Sequence, residues 1–355
     1  MHIALGYSWS LTAAGYHFER ALRALGHTVT YVGPATYERP GYDHAALDKT
    51  LTHLLERPDL YLWIDSAGRY FPAGIEDVSV PTACYLIDVH LGHWRQNVAS
   101  FFDAVFIAQR DYLQSFQAAV GHEQVYWLPL AAASDVHRQI DRPRTLDVGF
   151  VGNLALAHHK TARARRLQLI AQHFKTNDFY RQYTPAEVGE VYSQAKIVFN
   201  TSIAGDVTMR IFEGSACGAL VLTDSTANGL NDLFKPGSEI LTYTDDRELL
   251  NQISYYLTHE TERAGIAAAG QQRTLSQHLY IHRVQAILDI VAAASFKQVA
   301  PMRKASSKQR FQARRDIYTH LHMLDVLLDE SRAAGYNLIQ RGWMTLPCLA
   351  RRMLF

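Results

Sequence analysis

Short apolar runs recur through the first third of the chain, each followed by helical or turn-like sequence. HIALG (2–6) leads into a small-residue loop from Ser10 to Gly15. Phe18, Leu22 and Leu25 then share one helical face, and Gly26 supplies a stop. TVTYV (28–32), LYLWI (60–64), TACYLI (82–87), AVFIA (104–108) and VYWL (125–128) predict further strands. Continuous apolar strands separated by helices mark a parallel sheet covered on both faces. The opening segment therefore reads as a doubly wound α/β unit.

The texture changes at the polar DRPRTLD (141–147), where a domain boundary is predicted. A second series follows: DVGFVGN (147–153) as strand and glycine turn, a helix over 161–174, strand KIVFN (196–200), a helix near 209–217, and strands ALVLTD (219–224) and EILTY (239–243). Thr184, Pro185 and Glu187 spell a capped helix start, as do Asp245 and Glu248 before a face of Leu249, Ile253, Tyr256 and Leu257. The expected domains are 1–143, 144–296, and a 297–355 segment of basic linker and helical extension. Between 297 and 315 the chain has seven Lys or Arg and no acid, as in a solvated linker or a patch for anionic lipid or a polyanionic acceptor. Ile317, Leu321, Leu324 and Leu328 predict one more helix, which either packs in a core or pairs with a copy of itself. The closing LPCLARRMLF is expected to dock on the body, with a second subunit or a membrane surface as alternatives.

Composition narrows the classes. Of 355 residues, 48% are apolar and 19% charged, enough for ordinary cores in two domains. A formal net charge of +1 gives no reason to expect specific nucleic-acid binding. Cys84, Cys217 and Cys348 are odd in number and far apart, which argues for a reducing compartment. The N-terminus lacks a basic n-region and no apolar run approaches a membrane span, so the expected location is cytoplasmic, with peripheral membrane contact through the C-terminal extension as the exception considered.

The stretch 196–224, KIVFNTSIAGDVTMRIFEGSACGALVLTD, carries the chemistry. It reads as strand, loop, helix, strand, so the helix points free backbone N–H groups out of the carboxyl edge of a parallel sheet. Such an edge takes ligands, and a helix N-terminus favours phosphate. Arg210 and Glu213 share a helix face. The guanidinium suits a diphosphate and the carboxylate suits two vicinal hydroxyls. The plain alternative is a solvated i,i+3 ion pair.

RIFEGSACGALVLTD resembles the donor-site motif of retaining GT-B glycosyltransferases of the group 1 type. PTACYLID, FDAVFIAQRDY, VYWLPLAA, DVGFVGN, VYSQAKIVFN and LTYTDDRELLNQISYYL extend the likeness, in order from about 60 to 293, to the CgeB-type spore-maturation subfamily. The resemblance implies two Rossmann-like domains whose parallel sheets face a central cleft, with a helical C-terminal extension. It implies sugar transfer from a nucleotide-diphosphate donor to an acceptor glycan, protein or small molecule held by the first domain. Glu213 would bind the donor ribose and Arg210 would lie near the diphosphate. Gly152 and Asn153 would form a turn facing the phosphates, with Lys160, Arg165 or Arg166 as further cations.

One position departs from the family. Many relatives carry a first Glu eight residues before the ribose Glu, where this chain has Gly205 beside Asp206. Either Asp206 covers that role or backbone groups of Gly205 to Met209 do, with Gly205, Thr208 and Met209 as the donor contacts. No D-x-D occurs, so a metal-independent mechanism without cofactor is expected, with Arg, Lys and the helix dipole stabilising the leaving group.

In the first domain, DVHLGH (88–93) follows a strand directly. By the resemblance His90 would orient a sugar, with Asp88 fixing its tautomer. The alternatives are a metal site of Asp88, His90 and His93, or plain loop polarity. Gly15 is read as a turn that lets the acceptor or donor phosphate approach, or as a simple turn glycine. Two other readings compete: a sugar-nucleotide epimerase or hydrolase on the same scaffold, and a non-catalytic nucleotide-sugar-binding protein. A dehydrogenase is disfavoured because no G-x-G-x-x-G follows the first strand.

Overall fold

A computed structural model describes residues 1–42, 46–66, 68–152, 154, 161–293, 295–337, 340–342 and 344–345. The chain forms two compact units: Met1–Leu128 with Val284–Phe355, and Pro129–Arg283.

The first unit is built on six parallel strands, β1 (His2–Gly6), β2 (Thr28–Tyr31), β3 (Leu60–Ile64), β4 (Thr82–Leu86), β5 (Ala104–Ile107) and β6 (Val125–Trp127), in the order β2-β1-β3-β4-β5-β6. β3, β4 and β5 are buried along their whole length, which is why their sequences do not alternate. The first helix, Ala14–Ala24, ends where Gly26 takes φ +83°, the left-handed stop anticipated from sequence.

The second unit has four parallel strands in chain order, β7 (Leu146–Gly149), β8 (Ala195–Phe199), β9 (Leu220–Asp224) and β10 (Leu241–Tyr243). Thr184 accepts from Glu187 N and Glu187 reaches back, completing the capping box. Asp245 caps its helix through Glu248 N, but the Glu248 carboxylate accepts from Thr244 instead of returning to Asp245.

The boundary falls at 128/129 and the chain leaves the second unit at 283/284, not at 143 and 296. Residues 129–133 belong with the second unit because Arg283, itself buried, donates to Pro129 O (2.8 Å) and Leu130 O (3.0 Å), while Ala132 N bonds to His278 O. Arg144, in the stretch read as a polar boundary, is a double helix cap. Its guanidinium donates to Tyr192 O and Ala195 O behind helix Pro185–Gln194, and to Cys217 O and Gly218 O behind helix Met209–Ala216. One cation thus satisfies the orphan carbonyls of two helices.

The basic stretch 297–315 is not a solvated linker. Arg303 pairs with Asp103, which is fully buried, and Arg310 pairs with Asp77. Arg314 bonds both Glu76 and Glu330. The acids missing from the segment are supplied by residues far away in sequence. The predicted helix at 317–328 is two helices, Ser307–His320 and Leu324–Ala333, broken where His322 takes φ +55°. Phe311, Ile317, Tyr318, Leu321 and Leu327 enter the core beside Trp63, Phe71 and Phe101, so core packing accounts for their spacing. The terminal LPCLARRMLF lies outside the described residues. Among the described residues no helix is long and apolar enough to cross a membrane.

One buried histidine gives the second unit a pH signature. His278 sits between Phe212 and Phe234, with Nε2 against Leu233 O and Nδ1 facing Arg283. Burial, and then the Arg283 charge, pushes its pKa down to about 4. The unfolded chain, with an ordinary value near 6.5, binds the proton first, so stability falls as pH drops from about 6.5 to about 4 and levels off below. The shift corresponds to about 3 kcal/mol over that window. Proton uptake on unfolding at pH 5, measured by calorimetry in buffers of different ionisation enthalpy, should fall in a His278→Phe variant.

Candidate functional site

The site is assembled where β7 and β8 end. Val148 of β7 bridges Thr176 on one side and pairs with Ile197 of β8 on the other. The chain therefore leaves β7 in both directions, and a switch point of this kind is where an open α/β sheet takes ligands. Phe150, Val151 and Gly152 follow β7; Asn200 and Thr201 open the loop from β8 to helix Met209–Ala216.

Asn200 organises this edge and was not singled out in the sequence. Fully buried, it donates through Nδ2 to Thr223 Oγ1 (2.8 Å) and accepts at Oδ1 from Thr208 Oγ1 (2.8 Å) and Arg210 Nη1 (2.6 Å). Arg210 also donates from Nε to Val151 O at 2.9 Å, and its guanidinium lies 4.1 Å over the Phe150 ring. Gly152 leaves space for the far end of this fork; a Cβ there would stand 2.6 Å from Arg210 Nη2. Arg210 is only 8% exposed, and among the described residues it makes no ion pair with Glu213. The solvated i,i+3 pair does not form, because Asn200 and Val151 take the guanidinium instead.

Thr208 occupies the N-cap position of helix Met209–Ala216, yet its hydroxyl turns to Asn200, so the helix N-terminus has no side-chain cap. First-turn N–H groups without such a partner attract anions. At the opposite end Arg144 covers the carbonyls. Gly214 lets the helix lie against β8, since a Cβ would meet Val198 Cγ1 at 2.8 Å.

The loop before the helix is held from below. Asp206 Oδ1 accepts from Ile203 N (2.7 Å) and Ala204 N (3.4 Å). Gly205 takes φ +76° and its carbonyl accepts from Asn228 Nδ2 at 2.6 Å and from the Thr226 hydroxyl. Asp224 holds Ser202 through both backbone N–H and hydroxyl. The Asp206 carboxylate thus serves its own loop.

A second arginine, passed over in the sequence, joins Arg210. Arg163 donates to Thr201 O at 2.9 Å, while its Nε is buried without a partner. Burial, and then the Arg210 charge, holds this guanidinium below the usual arginine range. Two cations share a partly desolvated edge that an anion would relieve. The expected candidates Arg165 and Arg166 are both bonded to Asp246. Lys160 and Asn153 lie outside the described residues. A helical count would have exposed the signal: Arg163 lies in the first turn of helix Ala162–His173, on the face shared with Arg166, Leu167 and Ile170.

Glu213 lies one turn beyond Arg210. Its side chain is 14% exposed, and its Oε1 stands 3.5 Å from Nε2 of the buried His137. His137 is a further residue that sequence reasoning missed.

In the first unit the expectations fare differently. Asp88 lies two residues beyond β4 and heads the short turn Val89–Leu91, but His90 Nδ1 is buried with no hydrogen-bond partner, so Asp88 does not fix its tautomer through that atom. Gly15 lies within helix Ala14–Ala24, not in a loop. A Cβ there would meet the Tyr7 ring at 2.2 Å, so the close approach it permits is by a core tyrosine. Among the described residues no three His, Cys, Asp or Glu cluster as metal ligands.

Residues 144–289 match the family model described as glycosyl transferase-like. No curated protein matches the chain by sequence. Solved structures do match. A glycosyltransferase from Rickettsia africae is similar over 81% of this chain and 97% of its own, at 11% identity and TM-score 0.61. HepE from Anabaena in complex with UDP-glucose is similar over 82% and 99%, at 14% identity and TM-score 0.57. Sucrose-phosphate synthase from Thermosynechococcus elongatus is similar over 81% and 98%, at 12% identity and TM-score 0.55. At such identities the likeness is one of fold.

Proposed function

We propose that this chain is a glycosyltransferase of the GT-B fold, that it takes its nucleotide-sugar donor at the carboxyl edge of β7 and β8, and that it transfers the sugar without a metal ion. The observation that carries the reading is the Arg210 fork, held by Asn200, Val151 and Phe150 and aimed past Gly152 beside an uncapped helix N-terminus. The diphosphate would lie against Arg210, Arg163 and the first-turn N–H groups of helix Met209–Ala216. Glu213 would accept hydrogen bonds from the ribose hydroxyls. As the bond from the sugar to the diphosphate breaks, negative charge grows on the leaving oxygen, and fixed cations and dipoles stabilise it with little reorganisation. The sugar would be held by backbone groups of Gly205, Thr208 and Met209, since the Asp206 carboxylate is engaged by its own loop.

Retention of configuration and a place nearest the CgeB-type subfamily rest on the motif likeness of RIFEGSACGALVLTD and its companion segments. The first unit would hold the acceptor glycan, protein or small molecule, with His90 as its candidate contact at the end of β4. UDP is the first donor nucleotide to test, because HepE, a fold relative, has been seen with UDP and UDP-glucose.

The deciding experiment is a thermal-shift screen against nucleotide sugars and nucleoside diphosphates, first without metal and then with magnesium. A ligand that binds only the native state raises its apparent stability. Metal-free stabilisation by one nucleoside diphosphate supports the reading, and slow donor hydrolysis separates a transferase from a binding protein. No stabilisation by any member removes the donor assignment. Glu213→Ala should abolish most of the shift and leave the unliganded melting temperature nearly unchanged.

Gly152→Ala offers a second check. The new Cβ meets the far end of the arginine fork at 2.6 Å, which can move, and the edge of the buried Phe150 ring at 3.0 Å, which must give, so stability should fall by about 1–3 kcal/mol. Displacing the fork should nevertheless weaken nucleoside-diphosphate affinity by about tenfold, one charge-assisted hydrogen bond. Unchanged affinity, by titration calorimetry, would mean that the fork does not face the phosphates.

A further inference from the structure

We propose that His137 is a positioning residue for Glu213, and that through it the site selects nucleotides with an intact ribose diol. The inference rests on the donor reading above.

His137 is 3% exposed and sits in a tight turn in which its own N–H bonds to Ala133 O at 2.7 Å. Gly189 packs directly on that turn: a Cβ there would stand 2.4 Å from Val136 O. The imidazole Nδ1 accepts from Ala133 N at 3.1 Å. A ring nitrogen that accepts carries no proton, so in the neutral ring the proton is on Nε2. Nε2 faces Glu213 Oε1 at 3.5 Å, longer than the roughly 2.7–3.2 Å of a formed N–H···O bond but close enough for its dipole to orient the carboxylate. The backbone of one turn therefore fixes which atom the histidine presents to the carboxylate.

The identity of this partner has consequences. An arginine would grip both carboxylate oxygens in a fork and neutralise them. Arg210, one helical turn away, is committed elsewhere. A neutral imidazole orients one oxygen and leaves the charge and the other oxygen for a ligand. The remaining neighbours are acids kept protonated. Burial, and then the Glu213 charge among its neighbours, raises the Tyr192 phenol, and the same causes push the Cys217 thiol up to about 12. Two vicinal hydroxyls can both donate to a carboxylate held this way, whereas a deoxyribose offers only one.

The test uses the full-length protein. Dissociation constants for UDP, GDP, ADP and CDP and their 2′-deoxy counterparts are measured by calorimetry on wild type, Glu213→Gln, His137→Phe and His137→Gln. For the tightest-binding base, wild type should prefer the ribo form by about tenfold. His137→Phe keeps an aromatic ring of similar size and should shrink that preference to about twofold. His137→Gln keeps an N–H donor and should restore most of it. A merely structural histidine would weaken both forms alike and leave the ratio intact, which overturns the inference. Should His137→Phe fail to fold, the ratio is read on His137→Asn, whose amide is too short to reach Glu213. If Glu213→Gln loses the preference and His137→Phe retains it, the donor reading stands and this inference falls. If wild type binds none of the eight nucleotides, or Glu213→Gln binds both forms as wild type does, the donor reading falls and takes the inference with it.

Discussion

Replacing Arg210 with methionine is expected to lower donor turnover by about 100- to 1,000-fold while the protein stays folded. The magnitude is that of losing one preorganised group facing a developing negative charge, about 3–4 kcal/mol. Methionine keeps an unbranched stem against Phe150 but has no guanidinium to stack on the ring or donate to Asn200 and Val151. Asn200 remains bonded to Thr208 and Thr223, so no buried amide is orphaned. The stability cost should be about 2–3 kcal/mol, one cation–π contact and two exchanged hydrogen bonds. Lysine should rescue little, because a point charge cannot bridge Asn200 and Val151 while facing a phosphate. Steady-state turnover of the tightest-binding nucleotide sugar, read beside the melting temperature, decides the matter. Full turnover with a lowered melting temperature would make Arg210 a scaffold residue and move the diphosphate elsewhere.

The largest stability effect is expected far from that site. Arg303→Met should destabilise the first unit by about 3–5 kcal/mol, the cost of stranding a buried charge. Asp103 is fully buried, and Arg303 covers both its oxygens, at 2.9 Å and 2.7 Å. Thr82 and Ala300 also donate to this carboxylate, but neither carries a charge to balance it. Arg303 further donates to Val78 O and Val80 O, so its loss also loosens the turn before β4. Lys304, the next residue and an exposed one, is the internal control: Lys304→Met should stay within about 0.5 kcal/mol. Chemical denaturation followed by a first-unit tryptophan such as Trp63, with the other tryptophans replaced, reads the difference. Equal effects at 303 and 304 would mean that the basic stretch acts only through its summed charge.

The sequence disclosed what depends on neighbours in the chain. Strand positions, the Thr184–Glu187 box and the Asp245 cap are local, and the structure has them within a residue or two. Arg210 and Glu213 were legible as one helix face, whereas the close approach to the sheet at Gly214 was not. Hidden was whatever depends on partners far along the chain. Arg144 looked like a loop residue because its four carbonyls lie 48 to 74 positions away. The basic stretch looked solvated because its acids are Glu76, Asp77 and Asp103. His137 could not be joined to Glu213 by periodicity, since a turn and a helix from distant segments bring them together. Gly15 shows the converse error: a glycine near a strand end suggested ligand approach, but the Tyr7 ring fills that space.

The chain's route has a consequence for synthesis on the ribosome. Pro129–Arg283 is one uninterrupted stretch, whereas the other unit is completed only by residues beyond 284. Phe311, Ile317, Tyr318 and Leu327 fill a core whose other walls, Trp63, Phe71 and Phe102, have long since left the exit tunnel. The earlier-made half must therefore wait with apolar surface uncovered while the later-made half folds. That inverts the usual N-terminal-first order and makes the waiting half the natural client for a chaperone.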